Sequence, residues 1–327
     1  MRYALRRMGF FVFTLWACLT INFVIPRLMP GNPAIALLAR FKGRLNPQAL
    51  GALEVAFGVN SKEGALAQYG GYLKNMLTGH FGSSITFFPE SVAHVVFGAL
   101  PWTLGLVGVT TVLAFLVGTA IGTVSAWRRG SVLDSVLPPI FVIANAFPYF
   151  WLALLLLLLF AISNHWLPQG FGYSLTDTPA LSWHYIGDVL DHAVLPSLVI
   201  LIASVGSWIL TMRNNMITVL AEDYVRMARA KGLSPFRIMV DYAARNAILP
   251  NLTGFAMSLG FVVSGAILVE YVFSYPGVGY MLIEAVENED YALMQMLFLL
   301  ITVAVLVAVL VADFLTMALD PRTRTER

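Results

Sequence analysis

Serine, histidine and carboxylate side chains are all present, so their spacing decides whether they can do chemistry. No G-x-S-x-G or H-E-x-x-H occurs, which removes the nucleophile elbow and the zinc-protease helix. No G-x-x-x-x-G-K-[ST] occurs either: Lys231-Gly232 lacks the upstream glycine spacing, so the chain carries no phosphate-cradling loop of its own. Among His80, His94, His165, His184 and His192 no two stand i, i+4, and only His184 and His192 are two helical turns apart, so no metal site is expected. The single cysteine, Cys18, lies in an apolar run and reads as a small helix residue. The residues with a telling spacing are instead the charges of Ala221-Glu-Asp-Tyr-Val-Arg-Met-Ala-Arg-Ala-Lys-Gly232, continued by Leu233-Ser-Pro-Phe-Arg-Ile and closing at Arg245-Asn-Ala-Ile-Leu-Pro250. This pattern predicts a helix, a break and a second helix. Gly232 suits a left-handed C′ position, Ser234 caps the next helix and Pro235 fits its first turn. Glu222 and Arg226, at i and i+4, are expected to pair, and Pro250 marks the passage to the next apolar run. The product is a short, stiff, basic-sided hairpin suited to transmitting force rather than to catalysis.

The elements that hold this hairpin are apolar. The chain is 58% hydrophobic and 12% charged, with a mean hydropathy of +0.77, against about 25% charged in a soluble domain. That excess calls for a lipid solvent. A net charge of +2 gives no case for nucleic acid. Six apolar stretches are read as spans: 9–25, 100–127, 132–162, 195–212, 252–272 and 293–318. Arg2, Arg6 and Arg7 precede the first, but it lacks a convincing small-x-small cleavage site before Pro26 and is read as a retained helix. Pro138, Pro139 and Pro148 interrupt the third, either as ordinary kinks or as a break lining a cavity.

Orientation follows from lysine and arginine. Arg2, Arg6, Arg7, Arg128, Arg129, Arg213, Arg226, Arg229, Lys231, Arg237, Arg245, Arg322, Arg324 and Arg327 all fall on one side of a six-span chain, while residues 163–194 and 270–295 have none. The positive-inside rule puts both termini and the hairpin in the cytoplasm. The other basic residues lie between Arg27 and Lys74, in a long outer segment exempt from the rule. The expected fold is therefore all-α and polytopic: an N-terminal transmembrane helix (1–25), an extracytoplasmic segment with a small helical elaboration (26–99), a five-helix core (100–320) carrying the cytoplasmic loop at 213–250, and a cytoplasmic tail (321–327).

The charged segment resembles the cytoplasmic EAA loop of binding-protein-dependent importer permeases. It is most similar to the dipeptide and oligopeptide branch, whose version reads roughly D-Y-V-R-x-A-R-A-K-G-L with a downstream R-N-A-x-x-P. Asp223, Tyr224, Val225, Arg226, Ala228, Arg229, Ala230, Lys231, Gly232 and Leu233 match it, as do Arg245, Asn246, Ala247 and Pro250. Arg226 and Met227 stand where the general motif has Glu and Ala, and the gap from Gly232 to Leu249-Pro250 is longer than the general pattern; both departures resemble the peptide branch. Leu28-Met-Pro-Gly-Asn-Pro33, Gly79-His-Phe-Gly-Ser-Ser-Ile85, Leu100-Pro-Trp-Thr-Leu104 at the opening of the second span, Phe273-Ser-Tyr-Pro-Gly-Val-Gly279 and Asp320-Pro-Arg322 resemble further family motifs in the same order, with Asn32 in place of an Asp.

The resemblance implies a type I importer permease, in the cytoplasmic (inner) membrane and itself non-catalytic. It would work with a second homologous permease, two ATPase subunits or domains that bind ATP and magnesium, and an extracytoplasmic solute-binding protein. Glu222, Asp223, Arg226, Ala228, Arg229, Lys231, Gly232, Leu233, Ser234, Pro235 and Phe236 would form the ATPase-coupling element, with the turn at 232–236 as the coupling helix. Members of this family move dipeptides, oligopeptides, nickel and, in some lineages, oligosaccharides such as cellobiose; peptide is the first expectation and oligosaccharide the second. An ATP-independent secondary transporter, the rival from another class, would lack an ATPase-docking hairpin and often shows inverted repeats, which are not evident.

Other polar residues have two readings each. Asn145, Ser204, Ser207, Ser258 and Ser264 either line the solute path or hydrogen-bond between helices. Asp313, inside the sixth stretch, is either functional or a structural partner near the cytoplasmic face. Glu284, Glu287, Glu289 and Asp290 either receive the binding protein or form a solvated helix face. Gly232→Pro is expected to uncouple transport while the protein still inserts, because proline cannot adopt a left-handed backbone; solute-stimulated ATPase activity in the reconstituted complex measures this, and unchanged stimulation counts against the hairpin's role.

Overall fold

The computed structural model describes residues 2–28, 64–180, 182–264 and 266–319. Residues 29–33 of the first outer motif, Asp320-Pro-Arg322 and the 321–327 tail lie outside the described residues, as do the side chains of Asn145 and Asp313. Among the described residues every regular element is helical, and the one extended pairing is an isolated bridge between Ser83 and Ser91. In chain order the helices are α1 (Arg2–Leu28), α2 (Ala65–Thr78), α3 (Val92–Trp127), α4 (Val132–Ala146), α5 (Tyr149–Ser163), α6 (Trp183–Leu220), α7 (Asp223–Ala230), α8 (235–247), α9 (Leu249–Val262), α10 (Ile267–Val272), α11 (Val278–Glu287) and α12 (Tyr291–Leu319).

Every one of the six apolar stretches is helical, but they differ in continuity. α1, α3, α6 and α12 are each long and apolar enough to cross a membrane. The third stretch is broken between α4 and α5, where Phe147 is extended (φ −80°, ψ 132°). The cause is Pro148, which has no N–H to donate and disfavours helical backbone in the residue before it. Pro138 and Pro139, by contrast, are absorbed within α4. The fifth stretch divides into α9 and α10. Two helices exceed expectation: α6 begins at Trp183 rather than Leu195, and α3 begins at Val92 rather than Leu100. Pro101 thus lies inside α3, followed by π-helical turns at Leu104–Gly108. The polar Asp188 and Asp191 of early α6 masked its start, because a rule keyed to hydrocarbon misses helix that extends beyond it.

The chain divides into two units, the first comprising Met1–Thr103, Val263–Ile267 and Pro276–Val307. Its core joins Val92, Val96 and Ala99 of α3 to Val278, Leu282 and Ala285 of α11 and to Leu293, Met294, Met296 and Leu297 of α12. The Val278 N–H, the first of α11, donates to Thr103 Oγ1 at 2.7 Å, satisfying one orphan donor of that helix start. Asp290, expected among exposed acids, is fully buried instead. One oxygen caps α12 by accepting from Leu293 N–H (3.1 Å); the other accepts from Ser84 Oγ (2.5 Å) and from the N–H groups of Ile85 (2.7 Å) and Thr86 (2.9 Å). The outer acids therefore do not share one exposed face. In α1, Asn22 donates to the Gln295 carbonyl (2.8 Å) and to the Tyr72 hydroxyl (3.2 Å) of α2, and burial pushes the Tyr72 hydroxyl up to about 12, so it stays neutral.

The second unit comprises Leu104–Val262, Leu268–Tyr275 and Ala308–Arg327. Its centre is the crossing of α3 and α6. A Cβ on Gly118 would stand 2.5 Å from Trp208 Cβ, and one on Gly122 would stand 2.6 Å from the Ile209 carbonyl oxygen. This is a G-x-x-x-G contact, in which missing side chains let two backbones meet. Ala114, Val205 and Ile209 fill the crossing, and Phe115 stacks on Phe255 at 4.4 Å. Asn251 at the start of α9 donates to Thr119 Oγ1 and to the Trp208 carbonyl, both at 3.3 Å.

Gly122→Ala is expected to destabilise the subunit by about 1–3 kcal/mol, since backbone oxygen cannot yield to the new methyl. Gly98→Ala, where a Cβ meets open space, should be neutral or stabilising by up to about 1 kcal/mol. Thermal unfolding in detergent distinguishes the two.

Candidate functional site

The hairpin lies wholly in the second unit, between the end of α6 at Leu220 and the start of α9 at Leu249. Glu222 occupies the N-cap of α7 in extended conformation (φ −67°, ψ 146°). It is therefore not on the helix face and does not pair with Arg226, correcting the i, i+4 expectation. Arg226 meets Asp223 instead, at 3.4 Å, and both side chains are exposed. Such a surface pair contributes at most about 1 kcal/mol.

Burial, not charge, holds the hairpin closed. Val225 and Ala228, one turn apart on α7, are buried against Ile238 of α8, with Trp127, Leu233 and Tyr242 packed around them. The turn is a Schellman motif. Lys231 is the C-cap, Gly232 takes φ +73°, Gly232 N–H donates to the Arg229 carbonyl (3.0 Å) and Leu233 N–H donates to the Ala228 carbonyl (3.4 Å). Leu233 folds back onto Ala228, the apolar contact that accompanies this motif. The left-handed glycine expected from sequence is thus present. Ser234 sits at the next N-cap, but its side chain makes no capping bond; its extended backbone and Pro235 at the first helical position start α8 instead. α8 consists of a turn at Pro235–Arg237, π-helical Ile238–Ala244 and a final turn at Arg245–Ala247.

Outside this seam the residues are exposed. Asp223, Arg226, Arg229, Lys231, Gly232, Ser234, Pro235 and Phe236 all face outward, and Phe236 at the tip is 71% exposed. Met227 beside them is 58% exposed. The tip therefore combines basic side chains with an uncovered aromatic ring. Burial pushes the Tyr224 hydroxyl up from its ordinary value, partly offset by a hydrogen bond with Asn246.

The base of the hairpin is anchored by side chains that the motif did not point to. Asn215 of α6 donates to the Ala247 carbonyl at 3.2 Å. Ala126, Met212, Met216, Ala243 and Ala247 form a buried cluster joining α3, α6 and α8. The Arg213 Nε–H donates to Asp134 Oδ1 at 2.5 Å, and that carboxylate also accepts from Ser125 Oγ (3.1 Å) and Gly130 N–H (3.0 Å). Only the unusual combination of an acid in the first turn of an apolar helix with an arginine just past the apolar run of another hints at this pair.

Three of the serines considered for the solute path bond within their own helices rather than between helices. Ser204 Oγ donates to the Ile200 carbonyl (2.6 Å), Ser207 Oγ to the Ser204 carbonyl (2.7 Å) and Ser258 Oγ to the Phe255 carbonyl (2.8 Å). Each of these hydroxyls satisfies its own helix. Ser264 lies in the turn between α9 and α10. The two histidines two turns apart meet different carboxylates, His184 with Asp177 at 3.2 Å and His192 with Asp188 at 3.5 Å. Among the described residues no group of three or more His, Cys, Asp or Glu is placed to hold a metal ion.

A helical membrane chain with a Schellman-closed basic hairpin between two apolar helices matches a known sequence family. The family described as binding-protein-dependent transport system inner membrane component matches residues 118–325, which include the α3–α6 crossing and the whole hairpin. The chain is 33% identical to the di/tripeptide transport system permease protein DppB of Pseudomonas aeruginosa, over 98% of each chain. It is 30% identical to the oligopeptide transport system permease protein AppB of Bacillus subtilis, over 98% of each, and 30% identical to the oligopeptide transport system permease protein OppB of Haemophilus influenzae, over 95% of each. The chain belongs to the binding-protein-dependent inner-membrane permease family. Within it, the similarity runs to the dipeptide and oligopeptide branch, as the residues around Arg226 suggested.

Ile238→Ala is expected to destabilise the subunit by about 2–5 kcal/mol by opening a cavity in the seam, whereas Phe236→Ala at the exposed tip should stay within about 0.5 kcal/mol of the parent. Chemical or thermal unfolding in detergent measures both.

Proposed function

We propose that this chain is one of two permease subunits of an ATP-driven importer that moves short peptides inward. In this reading it crosses the membrane six times, α4–α5 and α9–α10 each forming one broken span. Both termini and the hairpin are cytoplasmic, where the basic residues of α7 and α8 obey the positive-inside rule. Broken spans are tolerated where they pack in protein or line a cavity. The chain hydrolyses nothing: ATP and magnesium belong to two partner ATPase subunits or domains, and an extracytoplasmic binding protein delivers the solute. The peptide transporters among its relatives favour peptide over oligosaccharide or nickel.

The observation that carries this reading is the uncovered Phe236 on a closed, basic turn. An exposed aromatic ring on a turn whose backbone is already fixed is suited to fill a groove on another protein, because the backbone loses little conformational freedom on docking. When ATP closes the ATPases, the tip moves, the buried seam keeps α7 and α8 together, and the helices attached to them follow. This couples an engine in one subunit to alternating access in another. Asn145, Ser204, Ser207, Ser258 and Ser264 are the candidates for the solute path, since a serine hydroxyl that donates to its own helix can still accept from a solute.

In the complex reconstituted with its partner ATPases and binding protein, Phe236→Ala is expected to weaken ATPase attachment about 30-fold, the loss of about 2 kcal/mol typical of an interface anchor. Co-purification and peptide-stimulated ATP hydrolysis read the effect. Wild-type attachment and stimulation would overturn the proposed contact.

A further inference from the structure

The Asp134–Arg213 pair stands apart from the hairpin's docking surface, yet it connects to the hairpin from two directions. Arg213 lies on α6, two turns before that helix ends at Leu220 and the chain enters the hairpin. Asp134 lies in the first turn of α4. Both are largely buried, at 22% and 7% side-chain exposure. The Asp134 carboxylate has three donors: Arg213 Nε–H, Ser125 Oγ and Gly130 N–H. These come from α6, the end of α3 and the α3–α4 turn. Trp127, the last residue of α3 before the turn, packs in the hairpin seam against Val225, Ala228 and Ile238. Arg229 of α7 sits over the Trp127 ring, 5.9 Å from its centre, at the limit of cation–π attraction.

The α3–α4 turn is therefore linked at both ends: Trp127, before it, joins the hairpin seam, and Asp134, after it, joins Arg213. A buried ion pair is a poor means of gaining stability, since desolvation offsets its attraction and apolar residues of similar volume often do as well. Its distinctive property is a directional, fixed link. Here that link runs from the helix that carries the hairpin to the first turn of the helix that ends in the Phe147–Pro148 break.

We infer that Asp134 and Arg213 are positioning residues that deliver hairpin movement to α4, so that displacement of the coupling tip becomes displacement of the broken third span. This inference rests on the proposed role of the hairpin as the ATPase contact. With the pair intact, α4 moves with α6 and the hairpin as one body. Without it, α4 follows through the covalent turn and through apolar packing on α6, where Phe141 lies against the Val205 and Ile209 cluster; the directional link is gone, and part of each stroke is lost before reaching the solute path.

Asp134→Asn, Arg213→Gln and the double variant test this in the complex assembled in lipid with its partner ATPases and binding protein, with labelled trialanine as the solute. The reading is peptide taken up per ATP hydrolysed, beside ATPase attachment. Each single variant is expected to keep its ATPases while uptake per ATP falls about fivefold or more, the scale of ordinary coupling between sites. The double variant should be no worse than either single, because the two residues act as a unit. Wild-type uptake per ATP in both singles, or additive losses in the double, would overturn the inference. Should the neutral variants fail to assemble, Arg213→Lys carries the test: it keeps the charge but not the planar Nε–H donor. The same fall is expected from it, and full coupling would overturn the inference. Loss of the tip contact has a different signature, detached ATPases after Phe236→Ala, so failure of the proposed function and failure of this link are separable.

Discussion

The approach of α3 to α6 at Gly118 and Gly122 is the constraint on which the second unit depends. In lipid there is no hydrophobic force to press one apolar helix against another, so close backbone contact and satisfied polar groups must do the work. The two glycines provide the contact, leaving no room for even a methyl group. Asn251 then ties α9 to both helices through Thr119 and the Trp208 carbonyl. Because α3 and α6 are fixed there, their ends, Trp127 and Leu220, form a stable platform under the hairpin.

The hairpin uses different physics from the helices that carry it. Its closure is the burial of Val225, Ala228, Leu233 and Ile238, locked by a left-handed glycine and two backbone hydrogen bonds. Its charges contribute little to that closure: Arg226–Asp223 and Arg237–Asp241 are long, exposed pairs. Charge lies on the exposed face of the element, while apolar contact sets its shape. The first unit differs: there the buried carboxylate of Asp290 itself fixes structure, holding a loop and capping a helix at once.

Sequence was most informative where one residue type has one physical use. Gly232 was legible as a left-handed C′, Pro235 as a helix start and Pro148 as an interruption, because their backbones allow few alternatives. The apolar stretches were legible as helices for a related reason, since lipid requires every backbone group to be satisfied within the segment. Partnership was not legible. Glu222 and Arg226 have the spacing of a pair, but the helix begins one residue too late for it. Asp290 looked like its acidic neighbours, and only the folded chain brings Ser84–Thr86 to it. Ser234 has the right type and place for a cap, yet its backbone alone performs the task. Asp134 and Arg213 lie far apart in the chain, and no local rule joins them.

The π-helical stretch at Ile238–Ala244 packs a long interval of chain into a short hairpin. A π turn closes its hydrogen bond one residue further along than an α turn, so it accommodates an additional residue as a local bulge. The long interval between Gly232 and Leu249-Pro250 is thereby folded sideways into girth instead of being extruded as a loop. Phe236 and Ala247 are thus joined by unbroken helix, the added residues taken up much as a pleat takes up cloth between its hems.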